Sequence, residues 1–292
     1  MKICMLLFGW ALVLVAGPVG AQPADGLAAL VGGRTVYTVK AGDTLTTISA
    51  RFGVDRATLI EMNSLTIPYP LAVGQPIVID NTHIAVANPN ATLTINIAQR
   101  LLVVAEGERA RAYPITVGKR TWPTPVGAFT VLSKEIDPVW DVPVSIQREM
   151  EQQGKTVITR MEASPDNPLG QYWIGLSLPG IGIHGTNAPS SIYAFASHGC
   201  IRMHPDDVAD LFQRIEVGAT GVLIYQPVVI ALIDARVWLE VHPDAYRRVG
   251  DAMETIRHAA ERAGLRDHVD WVQVDQVVRA RRGQAVDVTR PR

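Results

Sequence analysis

Apolar positions change their spacing several times along this chain, and the changes mark its elements. Residues 4–16 are almost wholly apolar after a single positive charge at Lys2. That run is shorter than the ~20 residues a membrane-spanning helix needs. With the small residues Val19, Gly20 and Ala21 before Gln22, residues 1–21 read as a secretory signal peptide. Residues 22–34 are small and Gly-rich and read as a tether. From Thr35 the pattern tightens. VYTV is a strand, GDT turns the chain and starts a helix, and Leu45, Ile48 and Phe52 share one helical face that Gly53 ends. Asp55 is placed to cap a second helix carrying Leu59 and Met62, Asn63 closes it, and GQPIVI supplies another strand. Residues 35–80 therefore form a small strand, helix, helix, strand unit.

Residues 83–90 read as a polar, proline-containing linker. TLTINIA then alternates at period two, with Leu93, Ile95 and Ile97 facing one way, which predicts a half-buried strand. RLLVVA and RARAYPITVG flank Glu106-Gly107-Glu108 as a hairpin, and TWPTPVGAFTVLS places a tight turn before another strand, so the body opens β-rich and antiparallel. Residues 137–170 break the rhythm, with a helix predicted over 145–153 and a turn in PDNPLG. Long excursions are uncommon in compact domains unless they serve a site, and this one is expected to be a lid. Strands over 172–177 and 180–183 deliver His184 to a strand end. Pro205 and Asp206 open a helix carrying Val208, Leu211, Phe212 and Ile215, and TGVLIYQ closes the body at 92–226. The extension, 227–292, holds the strand VWLEV, a long helix expected over 244–263 and a mixed tail. The fold class is α+β, a small βααβ domain before a β-rich domain with a helical insertion.

Composition narrows the partners. With 48% hydrophobic and 19% charged residues and a net charge of -1, the chain is globular and lacks the basic footprint of a nucleic-acid or anionic-membrane binder. The arginines between 256 and 282 are interleaved with acids and solvate a helix face. Of the two cysteines, Cys4 leaves with the signal peptide and Cys200 has no partner for a disulfide. A lone thiol in an exported protein is either buried and inert or kept for its reactivity.

The flanking residues favour reactivity. Cys200 sits in SHGCIRM, residues 197–203, with His198 two positions before it and His184-Gly185 upstream. An imidazole that takes the proton of a thiol makes it a nucleophile. On an extended segment His198 and Cys200 leave from one face, whereas a returning loop is needed to bring His184 across; spacing leaves the choice open. Gly199 permits a backbone conformation closed to other residues, so the amides of Gly199 and Cys200 are oxyanion-hole candidates. Arg202 is suited to a carboxylate or developing charge, or to a structural role. His204, before Pro205, reads as a surface or capping residue. Cys200, His184, His198 and His204 include zinc-ligand types, but the His198–Cys200 spacing is unlike common zinc motifs, so neither metal nor cofactor is expected.

Two resemblances sharpen this. The pattern YTVKAGDTLTTISARFGV, then Asn63, then GQPIVI resembles a LysM domain. That implies binding of N-acetylglucosamine-containing glycans such as peptidoglycan, through Gly42, Asp43, Thr44 and Asn63. HGT at 184–186, SHGCIR at 197–202 and Pro123, Thr124, Pro125 and Gly127 together resemble the L,D-transpeptidase, or YkuD, family. The LysM-like unit in front and DNPLG at 166–170 resemble its ErfK/YbiS/YcfS/YnhG-like subgroup. The resemblance implies Cys200 as nucleophile and His184 as general base, with the Gly185 carbonyl or a nearby group orienting the imidazole. Gly185, Ser197, His198, Gly199 and Arg202 would shape the oxyanion and substrate pocket. It further implies a periplasmic, wall-associated enzyme that forms a thioester with a peptidoglycan tetrapeptide stem and is acylated by carbapenems. The acyl group would pass to another stem as a 3-3 cross-link, to a lipoprotein's terminal lysine, or to water as in a carboxypeptidase or amidase. The alternative of another class is a non-catalytic glycan-binding wall protein, against which the intact Cys200 and His184 speak.

Overall fold

A computed structural model describes residues 11–13, 26–66, 68, 70–107 and 109–291. Most of the expected signal peptide and its cleavage site lie outside the described residues. Within it, Ala11–Val13 pairs antiparallel with Gly26–Val31. Among the described residues, no helix is long and apolar enough to cross a membrane.

The small N-terminal unit forms as its pattern predicts. Arg34–Thr38 pairs antiparallel with Pro76–Asp80, and the helices Leu45–Phe52 and Arg56–Met62 pack on them around Val39, Ile48, Leu59, Ile77 and Ile79. Thr44 caps the first helix reciprocally with Thr47: the Thr47 amide donates to Thr44 Oγ1 at 3.1 Å, and the Thr44 amide to Thr47 Oγ1 at 2.8 Å. Asp55, expected to cap the second helix, makes no cap bond and instead accepts from Arg100 Nη1 at 3.2 Å. Arg100 is buried in the next domain, and a buried guanidinium demands a counter-charge more strongly than an exposed amide demands a cap.

The tether and the linker are corrected. Gly26–Val31 and His83–Ala87 are antiparallel strands, and every residue of the second is buried. Ile84 and Val86 pack against Ala28, Val229 and Ile233, while Ala85 and Ala87 pack against Leu101 and Val103. With both faces covered the strand shows no polar alternation, which hid it beside Asn88-Pro89-Asn90.

The larger domain is one nine-stranded sheet, in spatial order Phe195–Ser197, Arg109–Gly118, Ile201–Met203, Gly182–His184, Tyr172–Leu176, Gly127–Ile136, Thr220–Ile224, Leu93–Asn96 and Leu101–Glu106. The last strand also pairs with Arg109–Gly118, so the sheet closes on itself like a barrel. The opening strands Leu93–Asn96, Leu101–Glu106 and Arg109–Gly118 pair antiparallel in succession as expected, while the whole sheet is mixed: Gly182–His184 runs parallel to Ile201–Met203, and Leu93–Asn96 parallel to Thr220–Ile224. Leu93–Asn96 is buried throughout, correcting the half-buried expectation. Its polar positions are satisfied internally, Asn96 donating to Gln99 Oε1 at 2.8 Å and Thr94 Oγ1 accepting from the Asn88 amide at 2.8 Å.

The extension is a hairpin, Val228–Ile233 with Arg236–Val241, covered by helices Ala252–Arg262 and Trp271–Ala280 through Ile230, Leu239, Ile256 and Val274. The long helix expected from residue 244 begins only at Ala252. Before it the Asp244 carboxylate accepts from the amides of Arg248 and Val249 at 3.0 and 2.8 Å, and Arg247 takes a left-handed φ of 54°. A buried hub joins the parts. Glu240 accepts from Gln99 Nε2 at 2.9 Å and from the Ile84 amide at 2.6 Å, and meets His83 Nδ1 at 2.9 Å and His242 Nε2 at 2.6 Å. His83 Nε2 faces the Gly53 carbonyl of the N-terminal unit at 3.1 Å.

Candidate active site

Ile201–Met203 and Gly182–His184 lie side by side, so the segments holding Cys200 and His184 meet although they are distant in sequence. Both residues line a cleft of about 630 Å³ with Ser197, His198 and Arg202. The excursion over 137–170 supplies the far wall through Pro138, Trp140, Pro143 and Ile146. Its helix, Val144–Gln152, contributes no buried residue to a core.

His184 is buried, and its Nδ1 lies 2.7 Å from the Gly185 carbonyl. A carbonyl only accepts, so Nδ1 carries the proton and Nε2 is the basic nitrogen. Burial, with the Arg202 cation adding to it, brings the His184 pKa down to about 4 against the pull of the Gly185 and Leu169 carbonyls. Burial pushes the Cys200 thiol up, opposed by the Gly182 backbone and Arg202. At neutral pH the two rest as thiol and neutral imidazole. Both shifts disfavour a preformed thiolate–imidazolium pair.

His198, equally placed by spacing, turns elsewhere. Its Nε2 bonds Glu149 on the Val144–Gln152 helix and lies 3.2 Å from Lys119 Nζ, and its ring stands edge-on to Trp122 at 4.8 Å. Lys119 Nζ also bonds Glu149 at 2.8 Å. His198 thus joins the lid to the cysteine loop.

The loop itself is tightly held. Gly199 adopts φ +111°, and a Cβ there would lie 3.2 Å from Ile181 Cδ1. Ser197 Oγ donates to the Cys200 carbonyl at 2.5 Å and accepts from the Gly199 amide at 3.2 Å, so that amide is turned to the hydroxyl. Thr124 Oγ1 donates to the Gly199 carbonyl at 2.8 Å and accepts from the Gly118 amide at 2.8 Å. Tyr246 OH in turn accepts from the Thr124 amide at 3.1 Å and donates to the Gly118 carbonyl at 2.6 Å. Tyr246 stacks on Tyr225 with ring centres 5.0 Å apart.

Several of these residues were missed by sequence reasoning. Trp173 stacks on His184 at 5.8 Å and overlies Gly182, where a Cβ would fall 2.3 Å from the indole. Only the glycines near the cysteine hinted at a covering ring. Glu149, Lys119 and Tyr246 left no sequence signal.

In the N-terminal unit, Gly42, Asp43 and Thr44 form one turn. Asp43 Oδ2 accepts from Tyr37 OH and the Lys40 amide, each at 2.7 Å. Asp43 borders a groove of about 670 Å³ whose other wall is the larger domain, including His204 and Asp207. Asn63 is not brought to that groove: its side chain donates to the Leu59 and Val78 carbonyls and accepts from the Val78 amide, stitching the second helix to a strand. The zinc-ligand types weighed above do not assemble either, because His204 caps the Pro205–Arg214 helix and His198 faces Glu149. His83, Glu240 and His242 do cluster. Both Glu240 oxygens, however, are filled by hydrogen-bond donors, and His83 is held protonated by Glu240.

Comparison with known proteins decides the family. Residues 90–230 match the L,D-transpeptidase catalytic domain and residues 37–80 the LysM domain. Bacillus subtilis YkuD, named as an L,D-transpeptidase, is 34% identical over 190 residues, which cover 62% of this chain and 94% of that protein. The chain belongs to the L,D-transpeptidase family. Salmonella typhimurium ErfK/SrfK, another relative so named, is 29% identical over 272 residues, covering 89% of this chain and 88% of that one. Escherichia coli YbiS is 28% identical over 278 residues, covering 90% of each. Among solved structures, L,D-transpeptidase 3 from Mycobacterium tuberculosis, in complex with a faropenem-derived adduct, overlaps 66% of this chain and 92% of its own. The identity there is 16% and the TM-score 0.36, too slight for a residue correspondence. The two domain matches together imply peptidoglycan as the polymer this family member engages.

Proposed function

We propose that the protein is an exported, wall-associated, cysteine-dependent L,D-transpeptidase that acts on peptidoglycan tetrapeptide stems. A signal peptide over 1–21 would be removed, residues 35–80 would hold the glycan near Gly42, Asp43 and Thr44, and residues 92–226 would carry the chemistry. The observation that carries this reading is the convergence of Cys200, His184 and Arg202 on one cleft, with His184 Nδ1 committed to the Gly185 carbonyl.

Cys200 Sγ attacks the carbonyl at the L-centre of diaminopimelate while its proton passes to His184 Nε2. The oxygen takes the electron pair, and the Cys200 amide, free of the Ser197 contact that holds Gly199, faces it. Collapse breaks the bond to D-alanine, whose amine takes the proton back from His184, and a thioester remains. An acceptor amine then attacks the thioester, gives its proton to His184, and the sulfur leaves as the thiol. Arg202 stands beside the reacting centre as the charge for a carboxylate. An acceptor amine on another stem gives a 3-3 cross-link, a lipoprotein lysine gives a tether, and water gives hydrolysis.

The test is incubation with disaccharide-tetrapeptide, with and without a lipoprotein C-terminal peptide, followed by mass spectrometry. Cross-linked dimer or peptide conjugate is expected from the wild type and none from Cys200→Ala. Full turnover by Cys200→Ala removes the thioester mechanism, release of D-alanine without transfer makes the enzyme a carboxypeptidase, and an inert wild type favours a glycan-binding wall protein.

A further inference from the structure

The floor of the cleft is built from one row of residues on four adjacent strands. Arg202 lies opposite His184, His184 opposite Trp173, and Trp173 opposite Glu135. Residues directly across a ladder send their side chains to the same face, and all four line the cleft. The row is polarised. Arg202 stands at one end, the two rings occupy the middle, and a carboxylate stands at the other.

Glu135 is exposed, and its one side-chain hydrogen bond among the described residues comes from Ser133 Oγ at 3.3 Å, with no cation paired to it. Asp141, the other acid lining the cleft, is already paired with Arg160 at 3.0 Å. Between Glu135 and His184 the row is filled by the Trp173 ring. The Trp173 indole overlies Gly182, whose backbone acts on Cys200, and reaches Gly175, where a Cβ would lie 3.2 Å from its Nε1. An unpaired carboxylate at the end of an aromatic floor suits a ligand with a methylene chain ending in a cation.

We propose that Glu135 is a specificity residue that takes the ammonium group of a diamino acid whose methylenes lie across Trp173. This rests on the acyl-transfer reading above. Adjacent strands lie about 4.8 Å apart, so Glu135 stands two spacings, about 10 Å, from His184. The side chain of a diamino acid together with the methylenes of a glutamate bridges that separation. The ammonium belongs to the acyl donor's own stem, because an acceptor's amine is the nucleophile and must reach the thioester at Cys200 unprotonated.

The test has two arms. In the first, Cys200→Ala protein, which cannot turn over, binds disaccharide-tetrapeptide with its diaminopimelate amine either free or acetylated. Adding Glu135→Gln is expected to weaken the free-amine stem about tenfold, the loss of one charge-assisted bond, and to leave the acetylated stem unchanged. In the second, protein with Cys200 intact is acylated and titrated with acceptor amine. Glu135→Gln is expected to leave the acceptor KM unchanged, since the acceptor's amine goes to the thioester and not to Glu135. Glu135→Asp should restore part of the lost donor binding. Equal effects of Glu135→Gln on free and acetylated stems overturn the proposal, as does a raised acceptor KM with donor binding unchanged. Absence of turnover in the wild type counts against the transferase reading and leaves the binding arm legible.

Discussion

At the scale of single residues, spacing leaves His184 and His198 open, and what each ring nitrogen meets supports the proposal of His184 as the base. His184 gives its Nδ1 proton to the Gly185 carbonyl and keeps Nε2 basic, whereas His198 turns its Nε2 to Glu149. Replacing His184 with Ala should therefore abolish acylation of Cys200, while His198→Ala should slow it far less, as read by intact-protein mass spectrometry with a carbapenem. Since His184 must be unprotonated to act and its pKa lies at about 4, the acylation rate should hold down to about pH 4 and fall below it. Stability follows the same group. The unfolded imidazole takes a proton near pH 6.5 and the folded one only near 4, so the unfolded chain binds the proton first. Stability is lost between those values as pH falls, by on the order of 3 kcal/mol. Equal acylation by both variants would remove His184 from the role of base.

At the scale of elements, the Val144–Gln152 helix is held over the cleft by side chains rather than by a core of its own. Its anchor is Glu149, whose carboxyl is kept below the ordinary range first by the hydrogen bond from Lys119 and then by that from His198. A depressed carboxyl contributes stability above its unfolded pKa and loses it as pH falls, so the lid loosens toward acid. Removing residues 144–154 should raise the substrate KM and shift product toward hydrolysis. Glu149→Gln should leave the melting temperature nearly unchanged, since a half-exposed ion pair is worth about 1 kcal/mol or less, yet speed hydrogen exchange across 144–154. Unchanged turnover and KM after the deletion would show that the helix is not a lid.

At the scale of the whole molecule, the parts are bound by buried charge. Both ring nitrogens of His83 face oxygen acceptors, as an imidazolium requires. Burial opposes that charge, but Glu240 holds the His83 pKa above its ordinary value. Burial works against Glu240 as well, and His83 and His242 outweigh it and keep the carboxyl low. A histidine with a raised pKa lends its stability below the unfolded value and loses it as pH rises through the folded one. The His83 contribution is therefore greatest at mildly acid pH, opposite in sign to His184 and to His242, whose pKa burial lowers. Glu240→Ala leaves a buried cation unpaired and should cost about 3–5 kcal/mol, visible as a fall in melting temperature and faster exchange in His83–Ala87. Retention of wild-type stability would show that the hub does not bind the parts together.

Local chemistry was legible wherever a short run of sequence had to satisfy itself. The 3.6 period with its Thr44 cap, the Arg34–Thr38 strand, the hairpin at 101–118 and the glycine before Cys200 each answer to neighbours within a few residues. The sequence by itself determined these, together with the αβ makeup, the thiol without a disulfide and the family signature, because propensity, period and spacing are local properties. Tertiary structure alone decided that His83–Ala87 is a strand, that Asp55 serves Arg100 instead of a helix end, and that Tyr246 of the extension holds the Thr124–Gly199 contact. It also decided that His198 turns to Glu149 while His184 bonds the Gly185 carbonyl, and that Glu135, Trp173, His184 and Arg202 form one row. Their partners lie tens of residues away. Burial, charge pairing and strand register arise only when the chain brings those partners together, and no spacing within one segment encodes them.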